Sequence, residues 1–542
     1  MNTKHSAKDS FESVARIAKK LKNPCYILEE AKLRENLEIL SAVKAQSGAK
    51  ILLALKGFAF WSSFKMVAKY LDGITASGYY EARLGLEEFR KYNKKAIISV
   101  FSPAFSSAEI RKIAPFANHI IFNSFNQMQK FRALIAKSAK GAKMPHIALR
   151  LNPLYSEVEP EIYNPCAKFS RLGITPDEFQ KGLKTHSLRG VKGLHFHTHC
   201  EQNSDALERT LEAVERHFGK YIADMEWINF GGGHHITRKD YDLNRLVRVI
   251  SRFRKKYGVE VILEPGEAVG WQCGVLVGEV VDIVRNGVDI AITNLSAATQ
   301  MPDCLEMPYT PEILGAKIVS LNSSLGAPCG DFENLGRFAD APVQSHAPNS
   351  QKTSQFPPQI LELDSNESSL RGDLSPKQSK QNKIDCHDST QCVESRNDEN
   401  IKNANSSIVS EKSGLCSHEQ GNKTKASMVA SLHSQILRID EASGKLHDLS
   451  PQDEFATTNA QKYFYRLGCP SCLAGDIIGD YAFEKPLKIG DKIIIKDMIH
   501  YTIVKNNMFN GIPLPSLGIL KKNGDFKIVR KFGYNDYKKR NG

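Results

Sequence analysis

The sequence contains no apolar run with the length and purity of a membrane-crossing helix, which argues against a helical membrane protein. Its first stretch, Met1 to Asn23, is polar and charged and lacks the apolar core of a secretory signal. Without such a signal, the 11 cysteines read as reduced thiols rather than a disulfide framework, and a cytoplasmic location is expected. No two CxxC pairs stand at zinc-ribbon spacing, and Cys469-Pro-Ser-Cys472 stands alone, a weak redox or metal signal. No metal site is expected. No basic run is interleaved with aromatics, so the net charge of +13 is assigned to solvated lysines rather than to nucleic acid. That charge is uneven: from Leu321 to Phe455, 13 Lys and Arg face 19 Asp and Glu, a net of −6, and the remainder carries +19. The same stretch has neither Tyr nor Trp.

What is present is alternation. Pro24 to Leu40 reads as a short strand followed by an amphipathic helix. From there to about Gly270, short apolar runs alternate with helical patterns. The runs are Ile51–Leu55, Ile74–Ala76, Ala96–Val100, His119–Phe122, Ile147–Leu151, Gly193–His197, Trp227–Phe230 and Val259–Leu263. Eight such units predict a parallel (β/α)8 barrel, with a doubly wound open sheet as the alternative. From Val275 the texture turns β-branched, at Val275–Val284 and Val288–Thr293, and returns at Lys488–Lys496, His500–Val504 and Phe526–Lys531. A second, C-terminal and mostly-β domain is therefore expected.

A long polar segment, rich in Ser, Asn, Gln, Lys and Asp, interrupts that domain. It holds too little apolar surface to offset chain entropy and is expected to be a disordered insertion. Its short apolar pieces, Gln359-Ile-Leu-Glu-Leu and Ser434-Gln-Ile-Leu-Arg-Ile, read as residual loop structure, with partner motifs as the alternative. The expected organisation is a polar tail at 1–21 and a strand and helix joining two domains at 22–40. The barrel follows at 41–274, the β domain at 275–319 and 461–535, the insertion at 320–460 and a basic tail at 536–542.

Four features fall at the carboxyl ends of barrel strands, where barrel active sites lie. Lys56 follows the buried run Ile51–Leu55; such a lysine needs a partner or covalent chemistry, although one emerging into solvent would fit the same stretch. His195-Phe-His197-Thr-His199 offers either metal ligands or an imidazole laid against an aromatic ring. Gly231, Gly232 and Gly233 form a backbone that a phosphate can approach, or simply a tight turn. Glu264 ends an apolar run and calls for a cationic partner. A lysine, a phosphate cradle, a flat ring and a buried acid together meet the needs of pyridoxal phosphate.

With these residues in place, the chain resembles the alanine racemase-like (fold type III) pyridoxal-phosphate decarboxylases, the group of ornithine and diaminopimelate decarboxylases. The match to its carboxynorspermidine/carboxyspermidine branch is carried by Ala54-Leu-Lys56, Thr75-Ala-Ser77 with Glu81-Ala-Arg-Leu-Gly85, and Gly193-Leu-His-Phe-His197 with Cys200-Glu-Gln202. It continues in Asn229-Phe-Gly-Gly-Gly-His-His235, Glu264-Pro-Gly-Glu267, Met301-Pro-Asp303 and Leu305-Glu-Met-Pro-Tyr309. Cys469-Pro-Ser-Cys472-Leu-Ala-Gly-Asp476, Tyr501-Thr and Phe509-Asn-Gly511 complete it. The motifs span about 22–317 and 461–535.

The resemblance implies that Lys56 carries the cofactor as a Schiff base and that His197 stacks on its ring. Gly231, Gly232, Gly233 and Tyr501 would hold the phosphate, and Glu264 would pair with the ring nitrogen. Cys472 would sit in a loop contributed by a partner subunit, so that a homodimer completes each site. Glu267 and Asp303 match positions that bind substrate in the branch; two anions suit the tail of a carboxylated polyamine better than diaminopimelate, whose far end is a carboxylate. Leu473, where amino-acid decarboxylases of this fold usually have an acid, points the same way. The implied activity is removal of the α-carboxylate of carboxynorspermidine or carboxyspermidine. The alternatives are an ornithine- or diaminopimelate-type decarboxylase, or a non-catalytic cofactor-binding or interaction protein. His195, Cys200 and Cys273 read as structural, His199 is open between a structural and a functional role, and Asp476 reads as a turn or cap residue.

Overall fold

The computed structural model describes residues 12–307, 309–321 and 463–542, with the backbone of one short strand pair between 438 and 447. Two compact units result, Met1–Gly336 with Thr457–Gly542, and Arg337–Ala456. Most of the expected insertion, including Gln359-Ile-Leu-Glu-Leu, lies outside the described residues.

The described chain opens with a helical stretch at 12–18 that buries Val14, Ile17 and Ala18, then strand β1 (Cys25–Glu29) and the helix Glu30–Ser47. The barrel strands come next: β2 (Lys50–Ala54), β3 (Gly73–Ala76), β4 (Ile97–Ser102), β5 (His119–Phe122), β6 (His146–Leu151), β7 (Val191–Phe196), β8 (Trp227–Asn229) and β9 (Glu260–Leu263). They form a closed barrel, all neighbours parallel, with β9 returning to β2 through Lys50↔Ile262 and Ile51↔Leu263. All eight expected runs are barrel strands; the open sheet is not found. Continuous apolar runs serve here because the strands are covered on both faces, by helices outside and by the filled interior within.

The outer helices show why they form. In Leu243–Tyr257 the buried residues Leu246, Val249, Ile250 and Phe253 recur at helical spacing. Asp242 caps its start by accepting from the Arg245 amide at 2.9 Å, and Gly258 ends it at φ 70°. Burial of such side chains stabilises by about 1.5–3 kcal/mol each, which exceeds what intrinsic propensity supplies.

The barrel interior is layered. Its floor is a small apolar cluster of Leu52, Ile121, Ala148, Trp227 and Ile262. The Trp227 ring stacks on His119 at 4.5 Å between centroids. Gly193 on β7 makes room for it, since a Cβ there would meet the indole at 2.3 Å. Above this floor the interior turns polar, which places charged groups at the carboxyl ends of the strands.

The second domain is a nine-stranded sheet, of which β1 is a member. Its spine is β10 (Gly274–Asn286), whose first half pairs with β1 and β17 (Lys492–Lys496) and whose second half pairs with β11 (Val288–Thr293) beyond an irregularity at Val280/Asp282. On one side follow β15 (Tyr463–Gly468), β16 (Ile477–Phe483) and β12 (Ala316–Ile318); on the other lie β18 (Ser516–Leu520) and β19 (Phe526–Arg530). Both β12 and β15 pair with β16, Ala316 and Tyr463 flanking Phe483. In the other unit, β13 (Arg438–Ile439) pairs with β14 (Leu446–His447), so the piece Ser434–Ile439 ends in a strand rather than in loop.

One expected element is different. His500–Val504 reads as strand from its β-branched residues, but Tyr501–Lys505 is a helical turn. The strand texture ends at Lys496, Asp497 turns the chain at φ 59°, and packing overrides propensity over the next turn. Among the described residues, no helix is long and apolar enough to cross a membrane.

Candidate active site

Lys56 leaves β2 at the barrel mouth, where Gly57 and Phe58 turn the chain by donating their amides to the Ala54 carbonyl, each at 3.1 Å. Gly57 has no room for a side chain, because the Gly266–Glu267 backbone lies about 3.0 Å from where its Cβ would be. The Lys56 side chain projects into a cavity of about 1260 Å³ shared by His197, Gly232, Gly233, Glu264, Glu267 and Tyr501. Among the described residues, no acceptor takes up its ammonium. Burial and the nearby Arg150 cation lower its pKa, against the pull of Glu264.

Glu264 is buried and well held. Asn229 Nδ2 donates to its Oε1 at 2.7 Å, and His195 Nε2 stands 3.5 Å from Oε2. Burial alone would raise its pKa; His195, Asn229 and the Thr75 hydroxyl outweigh that and keep the carboxyl below the ordinary range. His195 thus braces the acid, in keeping with a structural part.

His197 has a fixed tautomer. The Gly232 amide donates to its Nδ1 at 2.8 Å, which leaves the proton on Nε2. Burial, with Lys56 and Arg150 nearby, holds the ring well below its ordinary pKa, so it is neutral.

The triple glycine is needed for its shape. Gly231 and Gly233 adopt φ of 72° and 80°, and a Cβ on Gly233 would lie 2.0 Å from the His199 carbonyl. The Gly231 amide is already donated to Asn229 Oδ1 at 2.8 Å, and that of Gly232 to His197. Among the described residues, the Gly233 amide has no acceptor.

Away from Lys56 the cavity is acidic: Glu201, Glu267, Asp303 and Asp497 all line it. His500 stands between two of them, Nδ1 at 3.7 Å from Glu267 and Nε2 at 3.3 Å from Asp497. Burial pushes Glu267 up to about 7; His500 works against the rise and Glu201, Asp497 and Asp303 add to it. Asp303 is buried and ion-paired to Lys505, whose ammonium also meets Glu306. Tyr501 lies one turn before Lys505 on the same face, its phenol pushed up by burial first and then by Glu267.

Cys472 is not brought together with the others. It is exposed and absent from the wall of the Lys56 cavity. Asn510, at φ 56°, accepts from both its amide at 3.1 Å and its thiol at 3.2 Å. Asp476 accepts from the Ser296 hydroxyl at 2.7 Å and the Ala298 amide at 2.8 Å, which makes it a cap rather than a chemical group. Cys273 is buried and donates to the Gly270 carbonyl, as a packing residue does. Cys200 lines the cavity, its thiol pushed up to about 11 by burial. His199 bonds Gln202 at 3.0 Å.

No protein-family model matches the chain. A carboxynorspermidine/carboxyspermidine decarboxylase of Campylobacter jejuni is 37% identical over 522 residues, 96% of this chain and 99% of the relative. The chain belongs to the carboxynorspermidine/carboxyspermidine decarboxylase family. A carboxyaminopropylagmatine decarboxylase of Synechocystis is 30% identical over 524 residues, 96% of each chain. The crystal structure of the Campylobacter jejuni carboxynorspermidine decarboxylase, complexed with norspermidine, superposes with a TM-score of 0.64 at 35% identity, covering 96% of this chain and 100% of that one. A diaminopimelate decarboxylase of Helicobacter pylori shares the fold at 13% identity, with a TM-score of 0.61 and coverage of 97% and 98%. This member of the carboxynorspermidine/carboxyspermidine decarboxylase family is thus a decarboxylase of fold type III.

Several residues of this decarboxylase's site escaped the sequence reading, Glu201, Asp497 and His500 of the acidic wall among them. Arg150 is buried over the Phe101 ring at 4.5 Å, and its Nη2 donates to the His197 carbonyl at 3.3 Å. Its signal was a charge inside the apolar run Ile147–Leu151. Asn510 lay inside a quoted motif without a role. Lys505 carried no signal, because it faces the cavity only once 501–505 is helical.

Proposed function

We propose that the chain removes the α-carboxylate of carboxynorspermidine or carboxyspermidine with pyridoxal phosphate, giving norspermidine or spermidine. The observation that carries this reading is the acidic wall of Glu201, Glu267, Asp303 and Asp497 in the same cavity as Lys56. A substrate tail with several ammonium groups finds counter-charges there, whereas the distal carboxylate of diaminopimelate would be repelled. The names of the Campylobacter jejuni relative and its norspermidine complex support the same substrate class.

The residues present fit the cofactor. Lys56 stands without an acceptor, the Gly233 amide is open beside a backbone too tight for a side chain, and Glu264 is an ionised acid inside the barrel. When bound, pyridoxal phosphate supplies an electron sink for the charge left by the departing carboxylate. Lys56, with its lowered pKa, would bind it at the carbonyl carbon. The neutral His197 ring offers a flat face, turned by the Gly232 amide. The Gly233 amide and the Tyr501 hydroxyl would hold the phosphate, while Gly231 and Gly232 let it approach. Glu264, braced by Asn229 and His195, would hold a proton at the ring nitrogen. Lys56 Nζ or the Cys472 thiol would return a proton to Cα.

Cys472 would reach this point only in a homodimer, where the loop of one protomer enters the cavity of the other. Its exposure and its absence from the wall of its own cavity support that arrangement. The seven described cysteines are all free, which suits the reducing cytoplasm in which we place the reaction.

The test is carbon dioxide release from carboxynorspermidine, carboxyspermidine, diaminopimelate and ornithine by the cofactor-loaded enzyme, with Lys56→Ala as the inactive control. Preference for a carboxylated triamine is expected. Turnover of diaminopimelate or ornithine alone would overturn the substrate assignment.

A further inference from the structure

Lys505 is an internal cation set among groups that would bind a cationic substrate. Its ammonium bridges two carboxylates on one helical turn: Asp303, which is buried and lines the cavity, and Glu306, which is half-exposed and lies behind that wall. Its stem lines the same cavity as Lys56, and its helical turn begins with Tyr501. An amine chain running from Lys56 along the acidic wall and ending at Asp303 therefore meets a lysine ammonium already paired with that carboxylate. The two carboxylates are at i and i+3, close enough to serve one further ammonium of a longer chain if Lys505 were absent.

We propose that Lys505 occupies the subsite a further substrate ammonium would take, and so limits the polyamine tail to a length that ends at Asp303. The inference rests on the polyamine reading above. A terminal ammonium of the right length shares Asp303 with Lys505. A chain longer by one aminopropyl unit would bring a second positive charge against Lys505 in a partly desolvated place, where like charges oppose each other strongly. Lys505 is a specificity-determining residue in this account and takes no part in the bond-breaking step.

The test is calorimetric binding of norspermidine and of the linear tetraamine one aminopropyl unit longer to the cofactor-loaded enzyme, so that the readout does not depend on turnover. Wild type is expected to bind the tetraamine no better than the triamine. Lys505→Gln is expected to tighten the tetraamine about tenfold, one charge-assisted hydrogen bond gained, with a much smaller change for the triamine. Adding Glu306→Gln should cancel that gain, and Lys505→Arg should keep the wild-type ratio. Lys505→Met, which retains the apolar stem, replaces the glutamine variant should that one not fold. Equal changes for both amines, or an unmoved ratio with the triamine still bound, would make Lys505 a structural brace and overturn the inference alone. A wild-type enzyme that binds neither amine would overturn the polyamine reading and the inference with it.

Discussion

Glu267 should set the pH dependence of substrate capture. Burial raises its carboxyl, His500 opposes the rise and Glu201, Asp497 and Asp303 reinforce it, and the result is a value of about 7 against an ordinary 4.5. A carboxyl raised in this way costs the fold as it ionises. Unliganded stability is intact below the ordinary value and falls as pH rises toward about 7, by about 3 kcal/mol at 1.36 kcal/mol per unit. A substrate ammonium reverses the preference, because it pairs only with the ionised form. A hydrogen bond to a charged group is worth about 1.5–3 kcal/mol, so kcat/KM for the carboxylated triamine should rise roughly 10- to 100-fold as pH climbs through about 7. Glu267→Gln cannot ionise, so its profile should lose this rise and keep only what the neighbouring His500 contributes, whose pKa the surrounding carboxylates raise against burial. The loss from the substitution should be large at about pH 8 and small at about pH 6, where the wild-type carboxyl is already protonated. The assay is kcat/KM from carbon dioxide release across pH for both enzymes. The same rise in Glu267→Gln as in wild type, or an equal loss at every pH, would refute the reasoning.

Other expectations concern positions around the site. Gly193→Ala places a methyl 2.3 Å from the Trp227 indole and should lower stability by about 1–3 kcal/mol, read as a fall in Tm, without changing which substrate is preferred. Arg150→Met removes a cation that lowers the Lys56 pKa; at neutral pH the lysine should then react more slowly with a small aldehyde in the cofactor-free protein. Lys56→Ala and Cys472→Ala should each be inactive alone and recover part of the activity when their subunits are mixed, because a mixed dimer would contain one intact site; no recovery would count against the shared site.

The barrel was legible because its strands are buried on both faces and therefore written as unbroken apolar runs. Lys56 and Glu264 stood out for the same reason, as charges at the ends of runs that water does not reach. Arg150 obeys the same logic and was overlooked inside Ile147–Leu151, where one cation did not interrupt the strand signal. Tyr501–Lys505 failed differently: Tyr, Thr, Ile and Val in sequence favour a strand, yet the segment forms a helical turn that buries Thr502. The positions of Cys472 and Tyr501 beside any site were expected from family resemblance, not from spacing. No pattern within one chain tells which subunit a loop will serve.

The strand neighbours of β16 have a practical meaning. The chain leaves the sheet after β12 and re-enters it at β15, with Ala316 and Tyr463 on opposite sides of Phe483. The exit at Ile318 lies opposite Tyr481 and the return at Tyr463 opposite Phe483, so two strand spacings and two residues of rise, about 12 Å in all, separate them. A foreign domain whose own termini lie that close would fit there in place of residues 322–462, and a fluorescent reporter grafted at this point should leave the barrel able to fold around it.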